Sequence, residues 1–137
     1  MSEYKGYLID KLLSTLIDFN NMTDQCVFMN LSGHIGKIDV EICKSKKEYN
    51  EKSQLHLSLY DLLKAQGIAA ALNRDIFEFP TKLDTKIYSD DEIEEIILTT
   101  NSLIDILELY IEQRHGDTVE SFNAVKDDLT NRNILKL

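Results

Sequence analysis

Two short runs of alternating apolar and polar residues, joined by a turn with two glycines, constrain this fold more than any other feature of the sequence. Alternation with a period of two puts every second side chain on one face of a β-strand, and Gly33 and Gly36 favour a tight connection. The pattern predicts an antiparallel hairpin with one apolar face. The residues on that face are Val27, Met29, Leu31, Ile38, Val40 and Ile42.

The register of this hairpin decides what the two cysteines can do. A pairing in which the numbers of opposite residues sum to 69 keeps the apolar face together and sets Cys26 opposite Cys43. A register shifted by two residues also keeps the apolar face but separates the cysteines. We expect reduced thiols, because the N-terminus carries no secretory signal, and a disulfide or thiol switch is the alternative.

The middle of the chain gives weaker signals. Residues 55–59 alternate Leu with His and Ser, which predicts a third strand, and residues 60–73 fit a helix interrupted at a glycine. Residues 76–79 and 86–88 fit two further short strands. Strands with one polar face predict a sheet that helices cover on one side only.

The two ends of the chain carry helical patterns. Residues 3–20 have apolar residues three and four apart, with Ser2 as the predicted cap. Residues 117–129 fit a last helix that Asp117 or Thr118 caps. Its predicted inner residues are Val119, Phe122 and either Val125 or Lys126.

Residues 90–114 give the clearest helical signal. Ser89 and Glu92 match a capping box, and Gly116 is a natural C-terminal stop. We expect the apolar stripe of this helix to be core and to cover the sheet, rather than to pair two copies of the helix. The stripe consists of Ile93, Ile97, Thr100, Ile104, Leu107 and Ile111.

These elements predict a single α+β domain over residues 1–137, with an N-terminal helix, a small antiparallel sheet of three to five strands, a long acidic C-terminal helix and a final short helix. The chain is long enough to bury a core without disulfides or metal. No apolar run is long enough to span a membrane, so we expect a cytoplasmic protein with no membrane partner.

The charge of the chain is concentrated in one third of it. The formal net charge is −9, and residues 84–128 alone contain 13 acids and three bases. This asymmetry disfavours direct nucleic-acid binding, which needs a basic surface to neutralise phosphates. It favours a basic protein partner, while a purely solubilising role for the acids is the alternative.

A helical wheel of residues 90–114 separates a core face from an acidic face. The acidic face gathers Glu94, Asp105, Glu108 and Glu112, while Leu98 and Leu109 project near the back of the helix. These six residues are the predicted partner-binding site. The competing interpretation of the two leucines, which we favour, is that they hold the last helix; a homodimer would use Leu98, Ile106 and Leu109.

Motifs for catalysis, cofactors and metals are not found. The chain has no nucleophile elbow, phosphate-binding loop or dinucleotide fingerprint, so we expect no enzyme activity, no cofactor and no catalytic residues. His34 beside Asp39 is the best remaining base and acid pair, and a histidine in a turn is more often simply exposed. The three histidines fall in different elements, which disfavours a metal site.

Three classes of function fit these features. The first is an acidic inhibitor or immunity-type protein that masks a basic partner such as a toxin, a nuclease or another nucleic-acid-handling protein. The second is an escort chaperone, because the order of helix, hairpin, third strand and acidic helix resembles that of the small acidic dimeric chaperones of type III secretion. The third is an enzyme or small-ligand protein whose site follows no local motif.

Overall fold

The computed structural model describes residues 7–65, 76–113 and 117–131, and these form an α+β fold. Four helices surround one face of a three-stranded antiparallel sheet whose strand order is β1-β2-β3. The elements in chain order are α1 (Ile9–Met22), β1 (Cys26–Ser32), β2 (Lys37–Cys43), α2 (Gln54–Ala65), β3 (Phe77–Pro80), α3 (Asp90–Gln113) and α4 (Val119–Asn131).

The hairpin forms in one of the two registers that the sequence allows. Val27 lies opposite Ile42 and Cys26 lies opposite Cys43, so opposite residue numbers sum to 69. Gly36 closes the turn at a φ of 63°, in the left-handed region where a side chain is strained. Its carbonyl accepts a hydrogen bond from the N–H of Thr81 at 2.8 Å, which ties the turn to the residue after β3.

The strand predicted at residues 76–79 is confirmed as β3, which pairs with β2 so that Ile38 lies opposite Phe79. The strand predicted at residues 86–88 is wrong, because these residues form a turn. The N–H groups of Ile87 and Tyr88 both bond the carbonyl of Asp84, which closes the chain on itself before α3 begins.

The third strand predicted at residues 55–59 is also wrong, because these residues begin α2. Leu55 and Leu59, four residues apart, are buried on one side of the helix, and Leu57 between them is exposed. The alternation of Leu with polar residues therefore matched a strand by coincidence.

Two side chains cap the start of α2. The Ser53 hydroxyl accepts the N–H of His56 at 2.9 Å, and a carboxylate oxygen of Asp117 accepts the N–H of Gln54 at 2.7 Å. Asp117 was a candidate cap for α4, and the structure gives that position to Thr118, whose hydroxyl accepts the N–H of Ser121. Asp117 instead fastens the α3–α4 connection to α2, which no local pattern could show.

Helix α1 begins at Ile9, later than the predicted residue 3, and Ser2 lies outside the described residues. Leu12, Leu16 and Phe19 point into the core, whereas Ile17 is exposed. A second set of apolar residues on this helix, Ile9, Leu13 and Ile17, is therefore only partly covered.

Helix α3 forms as predicted over Asp90–Gln113. The capping box is present, since the N–H of Glu92 bonds the Ser89 hydroxyl at 3.2 Å and the Glu92 carboxylate accepts the N–H of Ser89 at 3.0 Å. Gly116 lies outside the described residues. In α4, Phe122 is buried but Val119 is exposed, so Val119 is not an inner residue.

The core draws on every layer of the fold. Helix α1 contacts β1 and α3, α2 contacts β2 and α4, and α3 contacts α4. The stripe of α3 is core, as predicted, but the elements that pack most extensively on the sheet are α1 and α2, with α3 against α1. The fully buried side chains of largest volume include Tyr110, Phe19, Phe77, Phe79, Leu12 and Leu16.

Candidate functional site

The four acidic residues predicted on α3 fall into two groups. Asp105, Glu108 and Glu112 lie within two turns of one another, whereas Glu94 lies eleven residues before Asp105. At a rise of about 1.5 Å per residue, that separation is roughly 16 Å along the helix axis. Glu94 is exposed and belongs to the other end of the helix, so one contact with a small basic segment does not reach all four.

Two of the three clustered acids, Glu108 and Glu112, line an open groove of about 440 Å³ between α3 and α1. Asp18 of α1 adds a carboxylate, and among the residues that the structure describes, Lys11 is the single basic one on the wall of the groove. We refer to this feature, together with the adjoining Asp105, as the acidic groove. Its wall is formed by Lys11, Ser14, Thr15, Asp18, Glu108, Ile111 and Glu112.

Lys11 compensates only part of the negative charge. Its ammonium lies 3.5 Å from the Glu108 carboxylate. The Lys11 side chain is 60% exposed and the Glu108 side chain is 50% exposed. An exposed ion pair of this kind contributes little to stability, typically less than about 1 kcal/mol. The acidic groove therefore keeps a net negative charge that a basic group from outside could neutralise.

The pKa of Asp105 reflects the charges that lie near it in the acidic groove. Burial raises the pKa of its carboxyl, the charge of Glu108 raises that pKa further, and Lys11 acts in the opposite direction. A carboxylate with a raised pKa is less stable in its charged form than it is in water. A cation placed beside Asp105 would remove part of that cost.

The raised pKa predicts that Asp105→Asn stabilises the protein at neutral pH, by up to about 1 kcal/mol, since a partly exposed group is screened. The wild-type charge penalty is fully present above the folded-state pKa and shrinks to zero as pH falls to the unfolded-state pKa, about 3.9. It disappears as pH falls and Asp105 binds a proton, so the difference between variant and wild type should close below about pH 4. Urea unfolding midpoints across a pH series measure it.

Glu94→Gln is the control for this prediction, because it removes an exposed carboxylate from the same helix. It should give no comparable gain in stability at neutral pH. A midpoint for Asp105→Asn that is unchanged or lower at neutral pH would show that Glu108 and burial do not destabilise this carboxylate.

The two leucines of the predicted site have different positions. Leu98 is 49% exposed, but Leu109 is 4% exposed and belongs to the same core cluster as Phe122 of α4. Leu109 is therefore core and not on a partner-binding surface, whereas the exposure of Leu98 contradicts the interpretation that both leucines hold the last helix. Ile106 is fully buried as well, so the homodimer surface predicted from these residues is wrong.

An exposed apolar surface that the sequence analysis missed lies on β1. Phe28, Met29 and Leu31 of this strand, and Ile35 of the turn, are all exposed. The alternation of residues 26–32 identified the two faces of the strand but not its place at the edge of the sheet. A strand at the edge has a neighbour on one side only, so even its inward residues Met29 and Leu31 stay accessible.

The outer face of the sheet carries a second, smaller depression of about 260 Å³. The Phe28 ring forms an edge contact with Tyr49 there, with ring centroids 6.4 Å apart. Glu41 pairs with Lys52 on this face. The carboxylate of Glu41 is therefore already neutralised by the chain itself.

The cysteines lie directly opposite each other and are free thiols. Burial raises the pKa of Cys43 to about 11, with the Glu41 carboxylate adding to the rise. A thiol with this pKa is almost entirely protonated at neutral pH and is a poor nucleophile. Cys43 is therefore unsuited to nucleophilic catalysis.

The remaining candidates for chemistry do not converge. His34 is exposed in the hairpin turn, His56 is buried in α2, and His115 lies outside the described residues. Within residues 7–65, 76–113 and 117–131, no three metal-ligating side chains come together. No helix in those same ranges is long and apolar enough to cross a membrane.

Comparisons with protein families, with curated proteins and with solved structures find no match to this chain. Its function must therefore be argued from the chemistry of its own surfaces.

Proposed function

We propose that this is a non-enzymatic protein that binds a basic protein partner at the acidic groove and masks the basic surface of that partner, as an inhibitor or immunity-type protein does. The observation that supports this is a groove lined by Asp18, Glu108 and Glu112, with Asp105 adjoining it, in which Lys11 is the one basic wall residue among those described. The partner would be a toxin, a nuclease or another protein that handles nucleic acid.

The groove suits arginine and lysine side chains in particular. Carboxylates accept two parallel hydrogen bonds from a guanidinium, and carboxylates that repel one another gain most from an added cation. Ile111 and the methylene groups of Lys11 give the groove an apolar part, on which the stem of an arginine can pack. The wider negative charge of residues 84–128 would speed encounter with such a partner.

The escort-chaperone alternative receives no support from the fold. That layout expects a third strand directly after the hairpin, and this chain has α2 there. We therefore carry the basic-partner proposal alone.

The test compares two variants that each remove four negative charges. The groove variant combines Asp18→Asn, Asp105→Asn, Glu108→Gln and Glu112→Gln. The control variant combines Asp24→Asn, Glu94→Gln, Glu120→Gln and Asp127→Asn, which are all exposed and lie outside the wall of the groove. The probe is a short, labelled arginine-rich peptide, whose binding is followed by fluorescence anisotropy at low salt.

We expect the groove variant to bind the probe about tenfold or more weakly, because each lost contact removes a few tenths of a kcal/mol or more. The control should lose much less, and wild-type binding should weaken as salt rises. Equal losses in the two variants would show that the peptide senses only net charge, and the acidic groove would then be excluded as a specific site.

A further inference from the structure

The two edges of the sheet differ in how open they are to another strand. β3 is four residues long, contains Glu78 and ends at Pro80, and all three features discourage pairing with a further strand. β1 is seven residues long and contains no proline and no charged residue. Residues 25–36 are also the longest stretch of the chain without Asp, Glu, Lys or Arg.

The backbone of β1 presents hydrogen-bonding groups to solvent. In an antiparallel pair, alternate residues bond the neighbouring strand and the residues between them point away. The N–H of Val27 points away, because it donates to the side-chain oxygen of Asn20 at 3.0 Å. Ile42, opposite Val27, likewise donates away from β1, to Nδ1 of His56. By the same alternation, the N–H and C=O groups of Met29 and Leu31 point outward from the sheet.

Apolar side chains line this edge. Leu31 is 66% exposed, and Phe28, Met29 and Ile35 lie beside it, also exposed. Monomeric proteins usually protect a strand edge with charges, proline or a covering element. Among the residues that the structure describes, Asn20 covers the Val27 end of β1, and the remainder of the strand carries both apolar side chains and outward backbone groups.

We propose that two copies of this chain pair through β1, edge to edge and antiparallel, to form one continuous six-stranded sheet about a two-fold axis. An axis at Met29 sets Val27 opposite Leu31 of the partner subunit, which keeps the apolar faces of both sheets aligned. The N–H and C=O groups of Met29 then bond those of the partner's Met29, and the N–H of Leu31 bonds the C=O of the partner's Val27, while the N–H of Val27 stays bonded to Asn20.

Charge favours a second copy as the occupant. In a two-fold pairing a strand meets itself, so any charged residue on β1 would approach its own like charge. β1 has none, although the chain as a whole carries −9. The edge is thus the part of the surface where two copies can approach with least repulsion. Since strand pairing buries less than the roughly 800 Å² per partner of a standard interface, we expect a dissociation constant on the order of micromolar.

The test is sedimentation equilibrium of the full chain over a range of concentrations that brackets the micromolar. We expect a monomer–dimer equilibrium that strengthens as salt rises, because salt screens the repulsion between two acidic copies. Binding at the acidic groove should weaken with salt. The opposite salt dependences separate a failure of this proposal from a failure of the proposed function.

The decisive variant is Met29→Lys with Leu31→Lys, which places like charges at the edge and should weaken the dimer at least about tenfold while the monomer stays folded. A control with two lysines elsewhere, Leu57→Lys with Ile87→Lys, replaces exposed apolar residues and should dimerise as wild type does. Met29→Pro is a second test, because its N–H points away from β2 and its loss spares the hairpin ladder.

Three results would overturn the proposal. The first is a wild-type protein that stays monomeric at every concentration and salt. The second is a dimer that persists in both the double lysine and the proline variants. The third is a control variant whose dimer is weakened as much as that of the double lysine variant. Binding of an unrelated extended peptide to a strictly monomeric wild type would assign the edge to another occupant.

Discussion

Ile104→Asp should unfold the protein. Ile104 is fully buried in the middle of α3, inside the main core cluster. A carboxylate placed there is surrounded by the apolar side chains of that cluster, and burying an unpaired charge costs several kcal/mol. That cost is comparable with the whole stability of a domain of this size, about 5–15 kcal/mol. Far-UV circular dichroism and urea titration should show a chain without a cooperative transition at room temperature.

Leu98→Asp is the matched control, since Leu98 lies on the same helix but is half exposed. It introduces the same charge into the same acidic helix and should change the unfolding midpoint little. If Ile104→Asp gave a folded, soluble monomer with the wild-type midpoint, the stripe of α3 would not be core. Light scattering on the same samples distinguishes unfolding from the loss of a dimer.

Several parts of the fold could be predicted because their signals are local. The two faces of the hairpin follow from the need to keep Val40 and Ile42 on the same side as their partners across the turn, a need that registers shifted by two residues would also meet. The start of α3 follows from Ser89 and Glu92, whose side chains bond backbone groups only three residues away. In these cases the residues that specify the structure are also the residues that form it.

Other parts depend on contacts that are distant in the sequence. The error at residues 55–59 arose because the spacing of their leucines fits two patterns. Leucines two apart fit the period of a strand, and Leu55 and Leu59, four apart, fit the period of a helix. The capping of α2 by Asp117, sixty-three residues from Gln54, helps decide in favour of the helix. Local periodicity in the sequence contains no information about a bond between residues this far apart.

The candidate site was predicted in part for the same reason. The wheel of α3 correctly grouped Asp105, Glu108 and Glu112, because their spacing is a property of one helix. It could not show that α1 brings Asp18 and Lys11 to the same groove. Nor could it show that Leu109 is buried in the core, or that β1 is an edge strand, because both depend on how elements pack.

His56 should be the second position at which a single substitution has a large effect. Its ring is fully buried, and Nδ1 accepts a hydrogen bond from the N–H of Ile42 at 3.2 Å. The ring also stacks on Phe77 at a centroid distance of 4.3 Å. His56 thus joins α2 to β2 and β3 at once.

His56→Leu keeps an apolar side chain of similar bulk but removes the acceptor, so the N–H of Ile42 is left buried without its partner. An unsatisfied buried donor costs about 1–3 kcal/mol, and the lost ring stacking adds about 0.5–1.5 kcal/mol. We expect a total loss of about 2–4 kcal/mol in the free energy of unfolding. Urea titration should show a lower midpoint with an unchanged slope.

His56→Asn separates the two contributions. The side-chain oxygen of asparagine can occupy nearly the position of Nδ1 and accept the same N–H, although it cannot stack on Phe77. It should therefore be more stable than His56→Leu even though it is more polar and smaller. If His56→Leu were as stable as wild type, or His56→Asn the less stable of the two, the hydrogen bond to Ile42 would not be what makes a buried histidine necessary here. Packing against Phe77 alone would then account for the residue, and any apolar side chain of its size would serve.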